Sequence, residues 1–130
     1  MLKINTKKTG QNAEEIAKHY LLQHGLHYVR SNFHSRFGEI DLIFEDKDTL
    51  VFVEVRYRNN IQYGHSFETI NQQKQNKIIK TAQYYLQKHR LTESVNCRFD
   101  VIGIEPTKQQ AKPSRDKHSI NWIKNAFYCT

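Results

Sequence analysis

Cysteine is scarce in this sequence: Cys97 and Cys129 stand far apart and form no C-x-x-C pair. That argues against a disulfide scaffold and a cysteine-rich zinc site, and it fits a reducing cytoplasm, the compartment expected here. Long apolar runs are missing too. No stretch approaches the ~20 residues that span a bilayer. The concentrated runs, such as Leu50-Val51-Phe52-Val53, are strand-sized. The segment from Met1 to Lys8 has no apolar h-region and no small-residue cleavage site, so secretion is not expected. Neither G-x-G-x-x-G nor G-x-x-x-x-G-K-[ST] occurs, so no dinucleotide or nucleoside triphosphate cofactor is indicated. The seven histidines are scattered without H-E-x-x-H spacing, and Ser31, Ser35 and Ser66 lack a nucleophile-elbow setting.

Acid is the scarcer charge. Thirteen Asp+Glu stand against 20 Lys+Arg, a formal net charge of +7. A domain this basic calls for a polyanion, and nucleic acid ranks ahead of a membrane surface. An amphipathic basic helix with exposed Trp and Phe would suit a membrane, and the single Trp122 sits in a short segment. A chain of 130 residues fits a single domain.

Apolar periodicity divides the chain. Ala13, Ile16, Ala17, Tyr20 and Leu21 predict a helix over residues 10–24, stopped by Gly25. Strands are predicted over 26–33, 39–45, 50–58 and 97–105, with turns at 35–38 and 46–49. Ile78, Ile79, Ala82, Tyr85 and Leu86 predict a longer helix over 72–90. Ile120, Ile123 and Phe127, spaced i, i+3, i+7, suggest a short closing helix. Residues 1–9 read as a flexible basic arm, 59–71 as a loop, and 106–117 as a mobile loop. The order α-β-β-β-α-β plus a terminal helix points to a mixed central sheet flanked by helices, an α/β class.

One strand carries a chemical oddity. Glu54 lies inside Val51-Phe52-Val53-Glu54-Val55-Arg56, which otherwise looks buried on both faces. An unpaired buried carboxylate costs several kcal/mol or neutralises itself. If Glu45 pairs with Leu50 across the turn, Asp41 falls opposite Glu54 and Glu39 opposite Arg56. Ile40, Leu42 and Phe44 then face Val55, Val53 and Val51. Facing carboxylates need a proton or a hard divalent cation between them. A register shifted by two would instead pair Asp41 with Arg56 in a buried salt bridge. Spacing alone does not choose between the two.

The same residues carry a resemblance. Gly10, Glu14, Ala17, Tyr20-Leu21, Asn32, the string Gly38-Glu39-Ile40-Asp41-Leu42-Ile43, the string Val51 to Arg58, Lys74, Arg98-Phe99-Asp100-Val101 and Asn125-Ala126-Phe127 resemble the YraN family. These are small bacterial endonuclease-like proteins of the PD-(D/E)XK superfamily, related to archaeal Holliday junction resolvases. The resemblance spans nearly the whole chain. It implies a restriction-endonuclease-like core and a metal-dependent endonuclease hydrolysing DNA phosphodiester bonds, selective for branched or nicked DNA. It implies Asp41, Glu54 and the Val55 carbonyl as ligands of Mg²⁺ or Mn²⁺, with Glu14 completing the site. Arg56 stands where the superfamily has its catalytic lysine. Arginine stays protonated, so it can hold phosphate but cannot act as general base. Lys74 could supply the missing amine or touch the DNA backbone. The arginine also leaves open a protein that keeps the fold and binds nucleic acid without cutting it. Resolvases of this type are often dimers, which leaves room for a homodimer.

Other charges have plainer readings. Glu39 could join the acidic site but is expected rather to pair with Arg56, Glu15 to be solvated, and Asp100 to pair with a nearby arginine. Arg30, Arg36, Arg56 and Arg58 lie beside the acidic strands, and Lys74, Lys77 and Lys80 share one flank of the second helix. Both groups suit phosphate contacts, with Arg36, Arg58, Lys74 and Lys77 the leading nucleic-acid candidates. Tyr57 and Tyr63 could stack on bases, although core packing is commoner for a strand tyrosine.

Overall fold

The computed structural model describes residues 6–58, 70–106 and 118–128. Helix α1 (Thr6–Gln23) leads into strands β1 (His27–Ser35), β2 (Gly38–Asp46) and β3 (Thr49–Tyr57). Helix α2 (Gln72–Lys88), β4 (Asn96–Pro106) and β5 (His118–Phe127) follow. The strands form one sheet in the order β1-β2-β3-β4-β5. All neighbours are antiparallel except β3 and β4, which run parallel and are joined through α2. A parallel pair needs such a crossover because a tight turn cannot reverse the chain twice.

α1 buries Ala13, Ala17 and Leu21, four residues apart and therefore on one stripe. It ends as a glycine stop should. Gly25 sits at φ 88°, its N–H donates to the Leu22 carbonyl, and the Leu26 N–H reaches the Leu21 carbonyl at 3.2 Å. α2 starts on Asn71, whose Oδ1 accepts the Lys74 N–H at 2.8 Å. It buries Ile78, Thr81, Ala82 and Tyr85. Alternation along the strands divides the core in two. Leu42, Phe44, Val51, Val53, Ile102 and Ile104 pack under α1. Ile40, Ile43, Phe52, Phe99 and Val101 pack under α2.

Two expectations are corrected. The arm predicted over residues 1–9 is helical from Thr6 onward, because Lys7 and Lys8 are polar yet good helix formers. Residues 1–5 lie outside the described residues. The closing helix is a strand. β4 is fully buried from Phe99 to Ile104, and without β5 its outer row of N–H and C=O groups would lack partners. The helical spacing of Ile123 and Phe127 arises from an irregularity: they pair with Val101 and Phe99, so β5 advances four residues while β4 advances two. Asn125, at φ 54°, takes up the excess. The loops expected over 59–71 and 106–117 fall mostly on residues 59–69 and 107–117, outside the described residues, although Ile70 is buried under α2. Among the described residues, no helix is long and apolar enough to cross a membrane.

Candidate metal and phosphodiester site

The β2–β3 hairpin sets the site. Its turn is Lys47-Asp48, with Lys47 at φ 57°, and the ladder pairs Glu45 with Leu50 and Ile43 with Phe52. That is the phase that points Asp41 toward Glu54, and it excludes the shifted register. The ladder stops one step short, at Leu42 and Val53. Beyond it the two strands part, and Ile40 packs under α2 while Leu42 packs under α1. Ile40 therefore does not face Val55 on one dry side, as regular alternation would have it. The change of face falls on Asp41. Its neighbour on β1, Asn32, lies between two paired positions and takes φ 52°.

Where the ladder ends, the Asp41 side chain replaces the missing backbone acceptor. The Val55 N–H donates to Asp41 Oδ2 at 2.8 Å. In an extended strand the N–H and C=O of one residue leave on the same side, so the Val55 carbonyl points into the same gap. Glu14 comes down from α1, hydrogen-bonded to the Asn32 and Asp41 side chains. Glu39 joins them: one oxygen each from Glu14, Glu39 and Asp41 lies within 4.8 Å of the others. Glu39 Oε1 is also 3.7 Å from His34 Nε2.

This crowding shows in the acid strengths. Burial, then the charge of Glu54, push the Asp41 carboxyl from 3.8 up to about 8, against the lowering effect of the Val55 N–H. Burial likewise raises Glu14, partly offset by its bond to Asn32. At neutral pH the cluster therefore retains a proton unless a cation replaces it.

Glu54 lies on the α2 side of β3 and is 6% exposed. The compensation it requires comes from Lys74, whose Nζ sits 2.8 Å from Glu54 Oε1. The Asn71 cap fixes where α2 begins and so places Lys74 in its first turn, over the end of β3. Arg56, two residues beyond Glu54, shares its strand face and is half-buried. The structure thus gathers Glu14, Glu39 and Asp41, and holds Glu54 beside them on Lys74. A cavity of about 360 Å³ adjoins the cluster, lined by Asn12, Glu14, Glu15, Ser31, Asn32 and Leu42.

The remaining candidates are spread around this centre. Lys77 packs against the start of β2, where a Cβ on Gly38 would meet its Cβ at 3.4 Å. Arg36 lies exposed at the β1–β2 turn, its guanidinium 4.9 Å from the Phe37 ring centre. Arg58 follows β3, its N–H on the Ile104 carbonyl. Tyr57 packs with the α1-side core, and Tyr63 lies outside the described residues. Asp100 is structural, as its plain reading holds: fully buried, it accepts from Arg98 Nε, Trp122 Nε1 and the Asn125 N–H, all at 3.0–3.1 Å. Sequence reasoning gave no role to Asn32. Its signals were a place among the residues that carry the resemblance and a polar side chain level with Asp41 in a strand of mixed polarity.

Comparison with known proteins finds relatives that match nearly the whole chain. A 46% identical protein from Coxiella burnetii matches over 122 residues, 94% of this chain and 93% of its own length. One from Alcanivorax borkumensis is also 46% identical over 122 residues, with the same coverage. A Vibrio cholerae relative is 42% identical over 128 residues, 98% of both chains. All three carry the name UPF0102 protein. The model of that family, described as an uncharacterised protein family, matches residues 13–104, a span that runs from α1 through β4 and contains the whole acidic site. The chain belongs to the UPF0102 family.

Proposed function

We propose that this protein is a divalent-metal-dependent nuclease of the PD-(D/E)XK type that hydrolyses DNA phosphodiester bonds. The observation that carries the reading is the Glu14–Glu39–Asp41 cluster, three carboxylates within 4.8 Å at the end of a broken β ladder. The donors suit Mg²⁺ or Mn²⁺: all are hard oxygens, and the retained proton marks the place where positive charge is wanted. Asp41, Glu54 and the Val55 carbonyl would hold the ion, with Glu14 completing the set. Bound there, the ion would supply Lewis acidity and a water of lowered pKa.

The protein's own side chains do the rest. Asn32 orients the Glu14 carboxyl, and the Val55 N–H orients Asp41. Lys74, half-exposed beside Glu54, presents an ammonium to a scissile phosphate oxygen or to the attacking water. Arg56 on the same strand face offsets negative charge developing on the phosphorus-bound oxygens. The net charge of +7 favours a polyanionic substrate.

A second reading rests on a specific observation. Lys74 Nζ already neutralises Glu54 at 2.8 Å, so a protein that binds DNA without a metal would need no further change there. The discriminating experiment is nicking of labelled four-way, nicked and linear duplex DNA with Mn²⁺ or EDTA. Mn²⁺-dependent products that vanish in Asp41→Asn support the nuclease. Salt-sensitive binding that is unchanged in Asp41→Asn, with no product on any substrate, supports the binding protein.

A further inference from the structure

A second concavity lies away from the carboxylates. It has a volume of about 660 Å³ and sits between the β1–β2 turn and the outer flank of α2. Its lining is Ser35, Arg36, Phe37, Lys80, Gln83, Tyr84 and Gln87, with two cations, two aromatic rings, two amides and no carboxylate. Arg36, Lys80, Gln83, Tyr84 and Gln87 are all exposed. Tyr84 is 43% exposed, and its ring is tilted against buried Phe33 at 6.0 Å, which backs it from inside. Lys80 Nζ lies 5.8 Å from the Phe37 ring, and Arg36 covers the same ring at 4.9 Å. Arg30 and Lys88 approach Phe33 at 5.1 and 5.9 Å, extending the positive field along the groove.

We infer that this groove binds an unpaired, single-stranded stretch of DNA. Base stacking needs an exposed aromatic face, which Tyr84 provides on a rigid helix. A duplex offers no free π-face to such a ring, whereas an unpaired base does. Arg36 and Lys80 stand where phosphates on either side of a stacked base would lie. Gln83 and Gln87 each carry donors and an acceptor, the groups that pair with base edges. The positive, carboxylate-free lining complements a polyanion and disfavours a basic or apolar partner. Lys74 and Tyr84 are separated by about 15 Å of α2. A strand held on Tyr84 can therefore run past Lys77 to the acidic site. This inference shares only the DNA ligand with the proposed nuclease and uses none of its catalytic groups.

The test is fluorescence anisotropy on the full chain in EDTA, so that metal and cleavage play no part. The probes are an oligothymidine of about 12 nucleotides, within the ~4–16 typical of single-strand sites, a blunt duplex of equal length, and the matching oligouridine. Wild type binds the oligothymidine more tightly than the duplex. Tyr84→Ala weakens single-strand binding about 5- to 100-fold, and Tyr84→Phe, which keeps the ring, restores it. Replacing Arg36 and Lys80 with Ala lowers the slope of log affinity against log salt by about 1.4, at ~0.7 per single-strand phosphate. Circular dichroism confirms folding of each variant. Equal affinity for duplex, tighter binding of oligouridine, or less than a twofold loss in a folded Tyr84→Ala overturns the inference. The readout in EDTA involves neither metal nor cleavage, so failure of the nuclease reading and failure of the groove are separable.

Discussion

Asp41→Asn should stabilise the metal-free protein, and more so as the pH rises. In the unfolded chain this carboxyl ionises near 3.8, whereas in the folded protein it keeps its proton to about 8. Between those values the native state binds more protons than the unfolded state. Folding stability from this group therefore falls as pH rises through that window and levels off above about 8. Asparagine does not ionise and is free of the penalty. Its amide oxygen can still accept the Val55 N–H that Asp41 Oδ2 now takes at 2.8 Å. From about pH 5.5 to about pH 8.5 the raised acid constant sets an upper bound of roughly 3 kcal/mol on the widening gap between mutant and wild type. Glu14 shares the proton and the strands can relax, which brings the expected gain to about 1–2 kcal/mol. At ~4 °C per kcal/mol for a domain of this size, the melting temperature of the mutant should gain about 4–8 °C on wild type across that range. Thermal melts in EDTA at several pH values measure it. A gap that does not change with pH, or a mutant less stable at the alkaline end, refutes the reasoning.

Lys74→Met leaves Glu54 buried without its ammonium and should destabilise by about 1–3 kcal/mol, discounted because the lysine is half-exposed. Glu54→Gln on that background should recover most of the loss, as a double-mutant cycle in urea would report. Asp100→Ala strips the acceptor from Trp122 Nε1 and the Asn125 N–H and should cost about 3 kcal/mol by chemical denaturation. Gly25→Ala forces a side chain into φ 88° and should cost about 1 kcal/mol although a Cβ there meets no atom.

What could be read in the sequence was local. Glu45 and Leu50 flank a short polar turn, which offers the register that points Asp41 toward Glu54 beside one shifted by two, and only the observed ladder chooses the first. Alternation could not show that the ladder would stop at Leu42, because the break depends on Asn32 of β1 and on Glu14 of α1. Glu54 announced its need for a cation, but the one that answers it is Lys74, twenty positions away on another element. Its placement follows from the Asn71 cap, a three-dimensional fact. Glu39 shows the same limit: a period-two strand sets it across from Arg56, and its gathering with Glu14 and Asp41 depends on two other elements. The terminal strand was misread as a helix for a similar reason. Spacings of three and four in Ile120, Ile123 and Phe127 are helical in isolation. They belong to a strand with extra residues, which the unsatisfied edge of β4 recruits. The groove beside Tyr84 left no linear pattern at all, since Arg36 and Phe37 come from a turn and the rest from one flank of α2.

The central claim is that the carboxylates at the end of the β2–β3 ladder hold a divalent cation. Calorimetric titration of Mn²⁺ into wild type and folded Asp41→Asn tests it most directly, near neutral pH and again with a nuclease-resistant DNA junction present. Saturable binding in wild type, with release of a proton and with loss in the mutant, is the result predicted. Wild type that takes up no Mn²⁺ in either condition, or a mutant that binds it equally well, would contradict the account.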